Sequence, residues 1–172
     1  MDNNTSFENL LAEFQDRILN LCLYMTGSRE DAEDCTQETF IKVYNNLNSF
    51  DSDRSPYAWI RKIAVNTCLD HQKKPFRLFR FLMTNDEEDS LICERPTPES
   101  ICLSKESDRI LYKAVAKLPL KLRTVLVLRE LDGLSYSEVS QTLNIFEGTV
   151  KSRISRARTE LAIILKDFRE HF

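Results

Sequence analysis

Residues 133–161 read GLSYSEVSQTLNIFEGTVKSRISRARTEL and contain two consecutive helix patterns. Ser135 and Glu138 have the spacing of a capping box, which predicts the start of a short helix. Three residues of that helix are expected to face inward: Val139, Thr142 and Leu143. A turn at residues 144–147 separates it from a second helix, predicted at 148–168. Two helices joined by a tight turn are typical of a helix-turn-helix.

The second of these helices has one apolar face and one basic face. At about 100° per residue, three apolar residues lie within about 40° of Val150 and form the predicted buried stripe with it, namely Ile154, Ala157 and Leu161. The outer positions combine cations with short hydroxyls, and they are Thr149, Lys151, Ser152, Arg153, Ser155, Arg156 and Thr159. This chemistry suits the major groove of DNA, where cations reach guanine acceptors and hydroxyls reach base edges or phosphates. A solvated charged helix is the alternative.

The residues before this motif also have helical periodicity. Apolar residues recur at three- and four-residue steps from Lys105 to Leu118, and Pro119 ends that helix. A second helix is predicted to follow and to end at Asp132-Gly133, because glycine readily adopts the left-handed conformation at a helix C-terminus. Residues 106–172 are therefore predicted to form one helical domain.

Residues 76–105 differ in character and are predicted to be a flexible linker. They begin with the basic and aromatic patch at residues 76–83 and continue as an acidic segment that contains Pro96 and Pro98. We expect the patch to pack on the first domain or on a partner, since it is too short and isolated for a membrane-surface role. Residues 1–75 then form the first domain.

The first domain is predicted to contain three helices. A stripe of apolar residues from Phe7 to Cys22 indicates a helix that ends near Thr26-Gly27. Ser28 is the expected N-cap of a second helix, with acidic residues near its start and a polar, acidic outer side. Its buried stripe consists of Ala32, Cys35, Thr39, Phe40 and Val43. Pro56 is a suitable first residue for a third helix, which runs to about Lys73.

The third helix carries a basic segment at residues 60–74, directly after Tyr57 and Trp59. Its polar residues are expected on the outside, and they include Arg61, Lys62, Asn66, Asp70 and Lys73. Aromatic rings beside cations suit single-stranded DNA, because exposed bases stack on the rings and phosphates attract the charge. The alternative is that Trp59 is an ordinary core residue.

Charge is unevenly distributed along the 172 residues, although the net charge is only -3. Residues 1–60 hold 4 basic and 11 acidic groups, and residues 61–85 hold 6 and 1. Residues 86–108 hold 2 basic and 8 acidic groups, and residues 109–172 hold 12 and 7. Two basic modules suggest two contacts with a polyanion, and the acidic first part suggests a basic protein partner.

The composition excludes several classes of protein. With 3 glycines the chain is poorly suited to phosphate-binding loops, and with 5 dispersed cysteines and 2 histidines we expect no metal site. Cys22, Cys35 and Cys68 are predicted to be core thiols. No export signal or 18-residue apolar run is present, so we expect a reduced, cytoplasmic protein without a cofactor.

Four segments, in this order and over nearly the whole chain, resemble the bacterial extracytoplasmic-function (ECF) sigma factors, which are RNA polymerase specificity subunits. The segments are DCTQETFIKVY (34–44), WIRKIAVN (59–66), ELDGLSY (130–136) and GTVKSRISRAR (148–158). The resemblance implies an all-α fold with two small domains, a sigma region 2 helical bundle and a sigma region 4 helix-turn-helix. It implies a non-enzymatic factor that directs promoter-specific transcription of a stress or envelope-response regulon.

The resemblance also implies a role for each surface. The first domain would dock on a basic coiled coil of the largest-subunit clamp of polymerase through Asp34, Gln37 and Glu38. It would capture a flipped, single-stranded minus-ten base with Asn66, near Arg61, Lys62, Asp70 and Lys73. The second domain would read the duplex minus-thirty-five element with a helix surface that presents Lys151, Ser152, Ser155 and Arg156 towards bases and Arg153 or Arg158 towards phosphate. Thr149 would also contact this element.

Further partners that the family implies are the polymerase flap region and an anti-sigma factor, which can hold the protein at the inner face of the membrane. The chain departs from the family in the turn before Gly148, where a proline is common and Ile145, Phe146 and Glu147 stand here. Glu147 could repel phosphate or accept from a cytosine amine. Two other hypotheses are a stand-alone helix-turn-helix regulator and a helical enzyme with a Cys or His nucleophile.

Overall fold

The computed structural model describes residues 3–51, 53–73 and 106–170, and every regular element in these ranges is a helix. This confirms the predicted all-α class. The chain divides into two compact units, Met1–Ile101 and Cys102–Phe172. The predicted linker lies outside the described residues, as do its aromatic patch, Cys93 and Cys102.

The described part of the first unit contains three helices, and each of them packs against the other two. The helices are α1 (Asn3–Thr26), α2 (Arg29–Asn46) and α3 (Pro56–Lys73), and a 3-10 turn, Leu47–Ser49, follows α2. Large apolar side chains from all three helices fill the core, among them Ile18, Met25, Val43, Ile60 and Val65. Burial of such side chains is the main source of stability for a bundle of this size.

Local sequence signals set the helix ends in this unit. Gly27 has a φ of 73°, which ends α1 without the steric cost that a side chain would add. The Ser28 hydroxyl accepts a hydrogen bond from the backbone N–H of Asp31 and thereby caps α2. The predicted start of α3 at Pro56 is confirmed, and so is the predicted buried stripe of α2.

Three cysteine thiols, one from each helix, meet inside the bundle. Cys22, Cys35 and Cys68 are fully buried, as predicted for core thiols. Hydrogen bonds with Cys22 and Cys35, together with burial, raise the pKa of the Cys68 thiol. Cys68 therefore stays protonated at neutral pH and acts as a small apolar core residue.

Residues 106–170 of the second unit form four helices and one π-helical segment. The helices are α4 (Glu106–Ala116), α5 (Leu120–Leu126), α6 (Tyr136–Leu143) and α7 (Glu147–Glu170), and the π segment is Val127–Leu131. The long helix α7 packs against α4, α5 and α6. The core of the unit contains Leu118, Val125, Leu128, Val139 and Ile154.

The π segment is a feature that the sequence pattern did not predict. The N–H of Asp132 donates to the carbonyl of Val127 at 3.0 Å, five residues back, and the chain then turns at Gly133 with a φ of 77°. The Arg129 guanidinium donates to the carbonyl of Leu134 at 2.6 Å. These bonds fix the turn that leads into α6.

The predicted helix-turn-helix is present in this unit. The Ser135 hydroxyl accepts from the N–H of Glu138 at 3.2 Å, and the Glu138 carboxylate accepts from the N–H of Ser135 at 2.7 Å. This capping box starts α6, and Asn144 ends it in the left-handed conformation. Helix α7 begins at Glu147, one residue earlier than predicted. Val139 is buried as expected, whereas Thr142 and Leu143 are only half-buried.

Candidate functional site

The polar residues that the resemblance implies on α2 lie together on one side of that helix. Asp34 and Gln37 are exposed, and Glu38 is half-buried. Spacings of three and four residues place them side by side on the helix surface. The Glu38 carboxylate forms an ion pair with Lys42 Nζ at 2.8 Å. We define the α2 surface as Asp34, Gln37 and Glu38 together with two apolar residues, Ile41 and Tyr44.

Two large apolar side chains share the α2 surface, and the sequence pattern did not reveal either. Ile41 is 61% exposed and Tyr44 is 53% exposed. The expectation that the outer side of α2 is polar and acidic is therefore wrong in part. The Tyr44 ring meets the Phe7 ring edge-on, with 5.2 Å between centroids. Exposed apolar groups mixed with carboxylates are typical of a surface that binds protein rather than nucleic acid.

An open cavity of about 300 Å³ lies between α2, the 3-10 turn and α3. Its lining consists of Lys42, Asn46, Ser49, Trp59, Ile63, Asn66 and Thr67. Trp59 stacks against Phe50 with 4.8 Å between ring centroids, so it is half-buried and still reaches the cavity. Lys42 Nζ donates to Thr67 Oγ1 at 3.0 Å. An aromatic ring, an exposed amide and a cation together suit a planar base with a phosphate.

The residues predicted on α3 divide into two groups. Lys62, Asp70 and Lys73 lie within about 40° of Asn66 around the helix. The Lys73 ammonium pairs with the Asp70 carboxylate at 3.3 Å. Arg61, in contrast, lies about 140° from Asn66 around the same helix. It is half-buried, with its guanidinium 5.5 Å from the centre of the Tyr57 ring. The expectation that Arg61 stands outside with the other four is therefore corrected.

The structure confirms the predicted two-faced character of α7. Val150, Ile154 and Ala157 are buried, and Leu161 is half-buried at the end of the same stripe. The outer face is exposed at Lys151, Ser152, Ser155, Arg156 and Arg158, and half-buried at Thr149 and Arg153. The α7 surface, which we define as these seven residues, thus presents cations and short hydroxyls to solvent.

Two cations of the α7 surface are held by carboxylates. Lys151 pairs with Glu147 at 2.9 Å on the same helix. Arg158 donates to Glu130 at 2.5 Å, and this hydrogen bond is the main cause of the raised pKa of Arg158. Within the described residues, no ion pair is formed by Arg156. Arg158 must leave a carboxylate to bind phosphate, whereas Arg156 can bind an acceptor directly.

Metal binding and membrane insertion have no support in the part of the chain that the structure describes. In residues 3–51, 53–73 and 106–170, no three side chains of His, Cys, Asp or Glu come together as metal ligands. None of the helices in these ranges has an apolar segment of the length needed to span a bilayer.

Two families match the chain, one in each compact unit. The Sigma-70 region 2 family matches residues 10–75, which contain the α2 surface and the cavity beside α3. The Sigma-70 region 4 family matches residues 108–161, which contain the α7 surface. The fold and these two matches define the class of the protein as an RNA polymerase sigma subunit.

Individual relatives narrow this class. The ECF RNA polymerase sigma factor SigW of Bacillus subtilis is 36% identical over 168 residues, which are 94% of this chain and 90% of SigW. The ECF sigma-E factor of Escherichia coli K12 is 36% identical over 159 residues, covering 89% and 83% of the two chains. The solved structure of the sigma factor RpoE with the anti-sigma factor NepR from Bartonella quintana superposes with a TM-score of 0.75, at 25% identity, over 94% of this chain and 97% of RpoE. This chain belongs to the ECF RNA polymerase sigma factors, which are transcription initiation factors and not enzymes.

Proposed function

We propose that this sigma factor docks on core RNA polymerase through the α2 surface, opens the promoter at the cavity and reads the upstream element with the α7 surface. The observation that carries this proposal is that Lys42 belongs both to the ion pair on the α2 surface and to the cavity lining. A stand-alone helix-turn-helix regulator has no use for either feature, so the structure does not favour that alternative.

On the first unit we assign Asp34, Gln37 and Glu38 to the basic coiled coil of the largest-subunit clamp. Opposite charges on the two partners favour this contact. Ile41 and Tyr44 supply the apolar part that a protein interface requires. The further polymerase contact, with the flap region, is proposed from the family resemblance.

In the cavity we assign Asn66 to an unstacked base of the minus-ten element. Its amide can donate and accept at a base edge, and Trp59 offers a ring for stacking. Lys62, Asp70 and Lys73 line the approach on the same side of α3, where the cations attract the single strand. We assign Arg61 to a phosphate of the promoter DNA, since it is only half-buried.

On the second unit we assign Lys151, Ser152, Ser155 and Arg156 to base edges of the minus-thirty-five element in the major groove, together with Thr149 at the helix start. Arg153 and Arg158 flank the buried stripe and are assigned to phosphates. The apolar stripe holds α7 in place while the opposite side stays open to solvent. A recognition helix needs this arrangement.

The cellular setting is proposed on the same basis. We place the domain boundaries at residues 1–75 and 106–172, with residues 76–105 as the linker. We infer a cytoplasmic protein that an anti-sigma factor controls, and RpoE with NepR is a complex of this kind. Anchoring of that anti-sigma factor in the membrane and a stress or envelope-response regulon are proposed from the family resemblance.

Transcription of genomic fragments with core polymerase, with and without this protein, tests the function as a whole. We expect new start sites that share two upstream elements.

In the same holoenzyme, Asn66→Ala should keep duplex binding but block strand opening. Permanganate footprinting of the holoenzyme measures the opening. Asn45→Ala removes an exposed amide outside the cavity lining and is the matched control. A normal bubble with Asn66→Ala would rule out the assignment of Asn66.

A further inference from the structure

Phe146 is the most exposed large apolar side chain among the described residues. Its exposed fraction is 87%, compared with 61% for Ile41, which is the next in order. A single exposed apolar residue is common on protein surfaces and carries no meaning by itself. Phe146 is of interest because it lies directly before α7, the helix that carries the α7 surface.

The backbone around Phe146 is held by a set of hydrogen bonds. The Phe146 carbonyl accepts from the N–H of Thr149 at 2.9 Å and from the N–H of Val150 at 3.1 Å. The N–H of Ile145 donates to the carbonyl of Ser140 at 3.1 Å, and the Ser140 hydroxyl donates to the carbonyl of Ile145 at 2.6 Å. The ring therefore projects from a fixed turn, and little backbone entropy is lost when it binds.

Neither helix capping nor packing explains a phenylalanine at this position. The residue that precedes a helix is preferably Ser, Thr, Asp or Asn, because its side-chain oxygen accepts a hydrogen bond from a backbone N–H of the first turn. Ser28 and Ser135 do this for α2 and α6. Phe146 has no acceptor in its side chain and is too exposed to stabilise the core. A residue that breaks a local rule without a structural gain is a candidate for function.

We propose that Phe146 is a specificity-determining residue whose ring contacts the C5-methyl group of one thymine in the upstream promoter element. The inference rests on the proposed binding of α7 in the major groove, since the first residues of a recognition helix lie nearest to the base edges. Thymine carries the only apolar group that DNA presents in that groove, and a phenyl ring has no donor or acceptor for any other group there. The neighbouring Glu147 carboxylate is paired with Lys151, which limits its repulsion of the DNA.

Replacement of thymine by uracil isolates this contact, because it removes the methyl group alone. The upstream element is first selected from a random library by the holoenzyme, and each dT is then replaced in turn by dU. With wild-type protein we expect a loss of affinity of about two- to fourfold at one thymine, the size that one buried methyl group supports. With Phe146→Ala that position should become insensitive to the methyl group, and the other thymines should behave as before.

The outcomes separate this inference from the function on which it rests. Ile163→Ala removes another exposed apolar side chain of α7 and should leave every methyl effect unchanged. If Arg156→Ala weakens binding but Phe146→Ala changes no methyl effect, the role of Phe146 is wrong and the role of α7 stands. If neither variant changes binding, the proposed function of α7 fails as well. A selected element without thymine, or an equal loss with Phe146→Ala on all templates, overturns the methyl contact.

Discussion

Helices α2 and α7 are built in the same way, but the chemistry of their exposed surfaces differs. Each buries one stripe of side chains in the core of its unit and exposes the other side. The exposed side of α2 mixes carboxylates with Ile41 and Tyr44, whereas that of α7 mixes cations with Ser152 and Ser155. The buried stripe attaches the helix to its unit, and the exposed side decides what the helix can bind.

The non-ionic residues distinguish the two surfaces as clearly as the charges do. Aliphatic and aromatic side chains gain free energy when a protein partner removes them from water, and they are enriched where interfaces are most buried. Short hydroxyls leave room for DNA and bind phosphates or base edges. The α2 surface is therefore expected to depend on both charge and apolar contact, and the α7 surface mainly on charge and hydrogen bonding.

The largest effect is expected from Gln37→Ala combined with Glu38→Lys. Reversal of one charge turns attraction to a basic partner into repulsion, so affinity for core polymerase should fall by roughly a hundredfold or more. A pull-down at moderate salt, with helix content checked by circular dichroism, measures the loss. Glu13→Lys makes the same charge change on an exposed position of α1 and should bind normally. Unchanged affinity of the double variant would contradict the assignment of the α2 surface.

The sequence predicted the buried side of both helices more completely than the exposed side. Periodicity identifies a stripe, and Val150, Ile154 and Ala157 follow it closely. Ile41 and Tyr44 were missed because an apolar residue outside the stripe has no local signal that separates a contact site from a second packed face. The available clue was their spacing: Ile41 and Tyr44 follow Asp34 and Gln37 by seven residues, which places each on the same side of the helix as its predecessor.

Features that depend on distant parts of the chain were also beyond the sequence. The pair of Arg158 with Glu130 joins residues that are 28 positions apart, and the cavity needs α2, the 3-10 turn and α3 in their folded positions. The π segment changes the hydrogen-bond pattern of a helix without changing its apolar pattern. Local rules predict caps and stripes, whereas tertiary packing determines these pairs and spaces.

A smaller effect, confined to DNA, is expected from Arg156→Ala. Arg156 lies on the outer face about 120° from the buried stripe, where its fork can reach a guanine. We expect a loss of about 1–3 kcal/mol at the preferred upstream element and relaxed preference at one position. Holoenzyme binding to single-base variants measures both quantities. Arg109→Ala removes an exposed cation from α4 and serves as control. An equal loss on every variant would contradict base readout by this residue.

Arg158→Ala should have a weaker and sequence-independent effect. Arg158 lies at about 80° from the stripe, nearer to a phosphate than to a base. It must also leave Glu130 before it can bind. Binding should weaken by a few-fold on all sequences, and the salt dependence should fall by about one phosphate contact.

Glu130→Gln should strengthen binding to all sequences, since it frees the same cation. Titrations at two salt concentrations test both variants, and a change of base preference in either would place Arg158 among the reading residues.

The smallest effects are expected at two matching ion pairs, and they compare the helices most directly. Glu38 pairs with Lys42 on α2 at 2.8 Å, and Glu147 pairs with Lys151 on α7 at 2.9 Å, each four residues apart. Because such exposed pairs contribute about 0.5 kcal/mol or less, Glu38→Gln and Glu147→Gln should leave the stability of the protein nearly unchanged.

The effects of these two variants on binding should differ in sign. Glu147→Gln frees Lys151 and removes a charge that repels phosphate, so DNA affinity should rise by about twofold, most strongly at low salt. Glu38→Gln removes an attractive charge and should weaken polymerase binding by a similar factor. A rise in both affinities, or a fall in both, would mean that the charge of the exposed side does not determine which partner each helix binds.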